Sequence, residues 1–183
     1  MKYLIAALLI LTSCSRPTDG PIADGYELTV NDTNFQGKAV FKKLSAAAGF
    51  KILLIDHAGK TTDQIIFRYT PYALDVADVN RDGKTDVLVG LIKSTEFDPI
   101  ERKRLFILRI DDTQLRPLWL GSKVCQDLIN FKALEGGFVQ TLEKTQKGNY
   151  AIGLYEWQGF GLTLINYIHN EIQYADASKI FAP

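Results

Sequence analysis

Short apolar runs separated by turn residues follow one another along the chain from Tyr26 onward. The runs are rich in Val, Ile, Leu and Phe, which is typical of β-strands. The predicted strands are 51–56, 63–69, 73–79, 86–93, 104–111, 115–121, 127–134, 137–144, 149–157 and 161–168, with a weaker candidate at 171–177. Between them lie segments such as HAGK, NRDGK, EGG and QKGN, which are typical of hairpin turns.

The segment 39–49, AVFKKLSAAAG, fits two structures. Val40, Leu44, Ala47 and Ala48 have helical spacing, and Gly49 is placed to end a helix. The same segment can form a pair of strands. We favour the strand pair because the surrounding segments are predicted to be β.

Several runs do not alternate apolar with polar residues, namely VLVGLI, LFIL and ILLI. A strand that is apolar on both faces must be covered on both faces. The connections are too short for crossover helices, so other antiparallel sheets must provide the cover. The sequence therefore predicts an all-β fold of face-to-face stacked sheets, either propeller-like blades or a β-sandwich.

A weak internal repeat favours the propeller-like alternative. Similar strand, turn and strand series begin at Lys51, Lys103 and Asn149, about 50 residues apart, a spacing found in propeller blades. The chain would then hold three to four blade-like units, near the lower limit of about four for a closed ring. We expect a single β domain over residues 26–183, built as an open or incomplete set of small antiparallel sheets.

The N-terminal residues predict export. Lys2 precedes an apolar run from Leu4 to Leu11, and small residues follow. This run is shorter than the roughly 20 residues of a membrane-spanning helix. The sequence Leu11-Thr12-Ser13-Cys14 resembles the lipobox of bacterial lipoproteins.

The lipobox resemblance implies a signal peptide at residues 1–13 and an acylated Cys14, with palmitate among its acyl chains. Residues 14–25 would form a flexible tether, because they are polar and contain Pro and Gly. Ser15 follows the cysteine in place of an aspartate, which by the family's sorting rule favours the outer membrane. The protein would thus be held in the bacterial cell envelope through its N-terminal lipid.

Composition limits the partners. Removal of residues 1–13 takes away Lys2 and no acid, which leaves 20 basic side chains against 21 acidic ones. A nearly neutral chain has no field of one sign to attract nucleic acid, so no nucleic-acid partner is expected. Once Cys14 is lipidated, Cys125 has no intrachain partner, and VCQDLINF predicts a buried or half-buried strand residue.

Oxygen-bearing side chains alternate along the segment between predicted strands 73–79 and 86–93. They are Asp78, Asn80 and Asp82, followed by Gly83 and Asp86. Calcium takes roughly six to eight oxygen ligands, and alternation on a tight turn points successive side chains inward. An EF-hand is excluded, because its twelfth position would be Val89 and not an acid. The alternative is a plain Asp-Gly hairpin turn with solvated carboxylates.

The stretch DVADVNRDGKTDVLVG resembles the calcium loop of FG-GAP and VCBS-type repeats, the blade motif of integrin-α-like propellers. This resemblance implies that calcium is held by the backbone carbonyl of Lys84 and by four side chains, those of Asp78, Asn80, Asp82 and Asp86. Gly90 lies where the family has a glycine, but Leu91 and Ile92 depart from the turn that follows in the family. We expect the calcium to be structural, because a catalytic metal normally has acid and base groups nearby.

The stretch NYAIGLYEWQGFGLTLINY carries several aromatic rings. Tyr155 and Trp157 share a strand face with Ala151 and Gly153, and Phe160 follows in the turn. Rings beside small residues can form a platform that stacks on sugars or on a partner's aromatic side chains. The favoured alternative is core packing between neighbouring blades.

The function that these patterns favour is a non-enzymatic, lipid-anchored binding or scaffold module. Its partner would be another envelope protein or a glycan. His57 and His169 lie in predicted turns without the spacing of a catalytic set. The alternative is an enzyme, or an enzyme accessory, that acts on polysaccharide or cell-wall material with carboxylates assembled from several strands.

Overall fold

The computed structural model describes residues 21–45, 48–96, 98–121 and 124–182. These residues form twelve β-strands and one short helix. The elements are β1 (Glu27–Asn31), β2 (Gln36–Lys43), β3 (Phe50–Asp56), β4 (Thr61–Phe67), β5 (Thr70–Ala77), β6 (Asp86–Lys93), β7 (Arg102–Asp111), β8 (Gln114–Leu120), β9 (Asp127–Leu134), β10 (Phe138–Lys144), β11 (Tyr150–Gln158), β12 (Gly161–Ile172) and α1 (Tyr174–Phe181).

Consecutive strands pair antiparallel into four-stranded sheets. We name them sheet A (β1–β4), sheet B (β5–β8) and sheet C (β9–β12). The predicted repeat corresponds to equivalent strands, because Lys51 lies in β3, Lys103 in β7, and Asn149 directly precedes β11. Each of these is the third strand of its sheet. The all-β, antiparallel prediction is therefore confirmed.

Sheet B lies between the other two sheets. One core cluster joins it to sheet A and includes Val87, Val89 and Phe106, whereas a second joins it to sheet C and includes Leu88 and Ile107. Neighbouring residues of β6 and β7 thus enter different cores, which explains why VLVGLI and LFIL are apolar throughout. ILLI is different, because it belongs to sheet A, where only alternate residues of β3 are fully buried.

The outer face of sheet C is covered by α1, where a strand was predicted at 171–177. That prediction is wrong beyond residue 172, where β12 ends. Ala177 and Phe181 are four residues apart and both pack onto Leu142 and Ile152. This helical spacing buries one face of α1.

The segment 39–49 lies between two strands. Its residues 39–43 belong to β2, and Gly49 directly precedes β3. This is in line with the favoured strand pair.

The folded domain begins earlier than the predicted boundary at residue 26. Ile22 is buried in the core between sheets A and B, and Gly25 N donates to Phe41 O at 2.9 Å. The signal peptide, Cys14 and the tether up to residue 20 lie outside the described residues. In the part of the chain that is described, no helix has the length and apolar character needed to cross a membrane.

The first strands of the three sheets lie side by side. β1 is next to β5, and β5 is next to β9. Each of these strands is also at an edge of its own sheet. The free edges of three sheets therefore converge in one region, and the loop between β5 and β6 lies there.

Replacement of Gly90 by Ala is expected to destabilise the protein by about 2 kcal/mol. A Cβ at Gly90 would lie 2.7 Å from the ring of Tyr72. That ring cannot retreat easily, because it packs edge-on against Phe131 of sheet C and its hydroxyl donates to Arg104 O at 3.3 Å. Urea unfolding would measure the loss.

The matched control for this change is Gly148→Ala. No atom of the described residues lies within 4 Å of a Cβ at Gly148, and its φ of +87° leaves only backbone strain, about 1 kcal/mol. Equal losses in the two variants would contradict the proposed close contact between Gly90 and Tyr72.

Candidate functional site

The predicted calcium ligands lie in residues 78–86, which we call the acidic loop. Its side-chain oxygens accept hydrogen bonds from the loop's own backbone. Asp78 Oδ1 accepts from Asp82 N at 3.0 Å and Oδ2 from Gly83 N at 2.9 Å. Asn80 contacts Asp82 twice, since its Oδ1 accepts from Asp82 N at 3.2 Å and its Nδ2 donates to Asp82 Oδ2 at 3.0 Å. These bonds hold the three side chains together on a tight turn.

Asp86, at the start of β6, is 0% exposed. Its Oδ2 accepts a hydrogen bond from Val79 N at 3.1 Å, whereas Oδ1 has no hydrogen-bond partner among the described residues. Burial is the main cause that raises the pKa of Asp86 to about 7, and the charges of Asp82 and Asp78 contribute to the rise. A buried carboxylate oxygen without a partner is costly. This oxygen is therefore suited to a cation.

The donor atoms of the acidic loop fit a hard cation such as Ca²⁺, which prefers carboxylate, amide and carbonyl oxygens. Among the described residues, no group of three or more His, Cys, Asp or Glu side chains is arranged to hold a metal ion as it stands. Two of the predicted ligands are of other kinds, the Asn80 amide and the Lys84 carbonyl. The carboxylate oxygens of Asp78 and Asp82 already accept hydrogen bonds within the loop, whereas Asp86 Oδ1 has no such partner among the described residues.

The acidic loop is bonded to both neighbouring sheets. Thr85 N donates to Asp32 Oδ2 at 2.6 Å, and Asp32 lies in the turn between β1 and β2 of sheet A. Toward sheet C, Arg81 Nε donates to Gly136 O at 2.9 Å, and Arg81 Nη2 lies 3.5 Å from Glu156 Oε2. Sheets A, B and C are thus joined at this loop.

A cleft of about 470 Å³ opens beside the acidic loop. It is lined by residues from β1, β5, the acidic loop, β9 and the β9–β10 turn, namely Thr29, 75–78, Arg81 and 133–137. Asp75 is only 5% exposed and accepts from Val76 N at 2.9 Å and from Ala133 N at 2.8 Å. One carboxylate therefore bonds to the backbone of two edge strands. Burial raises the pKa of Asp75 to about 6.

Sheet C holds a second fully buried carboxylate, that of Glu143 in β10. Its Oε1 accepts from Thr141 Oγ1 at 2.6 Å and from the Tyr155 hydroxyl at 2.7 Å. Its Oε2 accepts from Gln126 N at 2.8 Å and from the Tyr167 hydroxyl at 3.3 Å. Burial, followed by the charge of Glu143, raises the pKa of both phenols. The network fixes the connection between sheets B and C.

The three residues of the aromatic platform do not share a surface. Tyr155 is 1% exposed, and Trp157 packs against the core between sheets B and C. Phe160 is 91% exposed in the turn between β11 and β12. Tyr155 and Trp157 therefore follow the core-packing alternative, and Phe160 remains as an exposed ring at the hairpin tip.

The sequence prediction for Cys125 is wrong, because Cys125 is exposed and lies before β9. β9 begins only at Asp127. The residue before it, Gln126, donates its backbone N–H to the Glu143 carboxylate. Sequence reasoning also missed Asp75 and Glu143. Asp75 lies between Leu74 and Val76 inside β5, and an acid between apolar strand residues is the signal that could have identified it, whereas Glu143, between Leu142 and Lys144, carries no such signal.

Comparison of the chain with known protein families, curated proteins and solved structures gave no match.

Proposed function

We propose that the protein is a lipid-anchored binding or scaffold module of the bacterial envelope, whose acidic loop binds a structural Ca²⁺. The observation that carries the calcium part is the fully buried Asp86 carboxylate, with one oxygen unpartnered beside two other carboxylates. A cation would neutralise the charge that burial disfavours. The ligands would be the side chains of Asp78, Asn80, Asp82 and Asp86 and the carbonyl of Lys84, as the FG-GAP and VCBS resemblance implies.

The expected role of the cation is to hold the sheets in place. Arg81 and Thr85, which bond to sheets C and A, lie within the same short loop as the cation ligands. Fixing the loop backbone therefore fixes both contacts. A calcium ion here would stabilise the stack as a whole, in addition to the hairpin between β5 and β6.

For the arrangement of the sheets we propose an open, propeller-like arc of three units. Two observations support this arrangement. Each sheet consists of four strands that are consecutive in the chain, and the first strands of the three sheets, β1, β5 and β9, lie next to one another, as the inner strands of propeller blades do. Solution scattering that required a closed ring or a two-sheet sandwich would contradict this arrangement.

The envelope assignment rests on the sequence from Leu11 to Cys14. The proposed membrane contact is through the lipid on Cys14, with an envelope protein or a glycan as the further partner. When bacteria that express the protein are grown with an alkyne-bearing palmitate, the wild type should become labelled and the Cys14→Ala variant should not. Labelling of both proteins, or of neither, would contradict the lipid anchor.

Removal of calcium is expected to lower the melting temperature of the protein by roughly 5–10 °C. Saturation at about 100 times the dissociation constant contributes about 2.7 kcal/mol, and each kcal/mol shifts a chain of this size by about 2–4 °C. Calorimetry of the detergent-extracted protein, in calcium and in excess EGTA, measures the difference.

The matched variants are Asp82→Asn and Asp112→Asn. Asp82 is a proposed ligand, so its replacement should remove most of the calcium response. Asp112 is exposed in a turn outside the acidic loop and has a φ of 55°, which Asn tolerates. A melting temperature that EGTA leaves unchanged in the wild type would exclude a stabilising calcium.

A further inference from the structure

We propose that the cleft beside the acidic loop binds an organic cation, an alkylammonium or alkylguanidinium group. This inference names the ligand class of the binding module and rests on that part of the proposed function. Asp78 lines the cleft and is also a proposed calcium ligand, so the test is made both with and without calcium. The volume of about 470 Å³ lies in the usual range of small-ligand sites, about 300–1,000 Å³.

Two backbone N–H groups of the cleft wall already have an acceptor. An edge strand presents unpaired N–H and C=O groups, and β1, β5 and β9 are all edge strands. Asp75 already accepts from the N–H groups of Val76 and Ala133. These two N–H groups are therefore not available to a ligand that accepts hydrogen bonds, whereas an ammonium or guanidinium group is a donor without acceptor atoms and does not need them.

The charge of the lining also favours a cation. Three carboxylates line the cleft, those of Asp75, Asp78 and Glu135, against one guanidinium, that of Arg81. Arg81 is already engaged, because it bonds to Gly136 O, pairs with Glu156 and lies 4.6 Å above the centre of the Phe138 ring. An anionic ligand would face the three carboxylates, and among the described lining residues the one guanidinium already has these partners.

Asp75 is the residue best placed to receive the cation. Its two backbone hydrogen bonds fix the carboxylate, and each carboxylate oxygen can accept a further hydrogen bond. Val76, Ala77 and Leu134 add apolar surface to the lining. That combination suits an alkyl chain ending in a charged donor, because the chain contacts the apolar side chains while the head reaches a carboxylate.

The test uses agmatine, an alkylguanidinium that also carries an amine, as the probe. Amide signals of ¹⁵N-labelled, full-length mature protein are followed by NMR, in calcium and again in EGTA. We expect saturable shifts at Ala133, Gly136 and Gly137, which line the cleft. Neutral n-butanol should shift none of them at the same concentration.

Thr29→Lys supplies the matched variant. Thr29 is an exposed strand residue of the cleft wall, so a lysine there introduces a competing ammonium group. We expect agmatine affinity to fall at least about tenfold, which is about 1.4 kcal/mol. Thr61→Lys, also an exposed strand threonine of sheet A but outside the lining, should bind agmatine as the wild type does. Glu135→Gln should weaken binding about two- to fivefold, as an exposed ion pair does.

Absence of agmatine shifts in both calcium and EGTA would overturn the cleft proposal, as would equal effects of Thr29→Lys and Thr61→Lys. A missing thermal response to calcium, with agmatine binding intact, would overturn only the calcium site. Tighter binding of a capped arginine peptide than of agmatine would assign the cation to a partner's side chain, whereas the reverse order would assign it to a free small molecule.

Discussion

Replacement of Asp86 by Asn is expected to stabilise the calcium-free protein and to destabilise the calcium-loaded one. In EGTA at pH 8 the variant should gain about 2 kcal/mol, because a buried charge with an unpartnered oxygen is removed. The Asn oxygen can still accept the hydrogen bond from Val79 N. In calcium the variant offers the ion a neutral amide oxygen in place of a charged carboxylate, so calcium binds more weakly and the melting temperature should fall below that of the wild type.

The gain without calcium should depend on pH. The pKa of Asp86 is about 7 in the folded protein and about 3.9 in an unfolded chain. At a pH between these two pKa values, Asp86 is protonated in the folded protein and ionised in the unfolded chain. The free energy of unfolding of the wild type therefore falls as the pH rises toward and through 7. The stability advantage of the Asp86→Asn variant in EGTA should therefore be larger at pH 8 than at pH 5.

Asp111→Asn is the control for the Asp86 variant, because Asp111 is a partly exposed partner of Lys84 outside the acidic loop. It should change stability by less than about 1 kcal/mol, with the same sign in calcium and in EGTA. An Asp86→Asn variant that is destabilised equally in both conditions would show that the buried carboxylate serves the fold without a cation.

Replacement of Glu143 by Ala should cause the largest loss of stability outside the acidic loop, about 3–5 kcal/mol. The change leaves four donors without their acceptor, those of Thr141, Tyr155, Gln126 and Tyr167. Thr141 and Tyr155 are fully buried, so water cannot readily replace the carboxylate. Thermal unfolding should shift down by roughly 6–20 °C.

Two variants make the Glu143 measurement specific. Glu143→Gln keeps the size and one acceptor oxygen, so its loss should be smaller than that of Ala. Glu101→Ala removes an exposed glutamate and should stay within about 0.5 kcal/mol of the wild type. A Glu143→Ala variant as stable as Glu101→Ala would mean that the network does not hold the B–C connection.

Most strands could be predicted from the sequence because apolar runs and turn residues are local signals. β1 was the strand missed. Its signal was present, since Leu28 and Val30 alternate with polar residues and are the buried positions. The C-terminal helix was assigned to a strand because its helical spacing covers only two turns, and its partner face on sheet C is distant in sequence.

The aromatic residues show why candidate sites are harder to predict. The alternation of β11 correctly placed Tyr155 and Trp157 on one face, but periodicity does not say what covers that face. Sheet B covers it, so the two rings enter the core. The same limit applies to Cys125, which is exposed although its backbone N–H donates to the buried Tyr155 hydroxyl.

The sequence by itself determined three features, namely the antiparallel strands, the double-sided burial of sheet B and the acidic loop with its oxygen-bearing side chains. Each of them depends on the spacing of residues that are close together in the chain. Only the tertiary structure decided that this loop joins three sheets. Thr85 and Asp32 are 53 residues apart and Arg81 and Gly136 are 55 apart. Such pairs meet only after whole sheets have packed on one another, and the cleft at the convergence of β1, β5 and β9 arises in the same way.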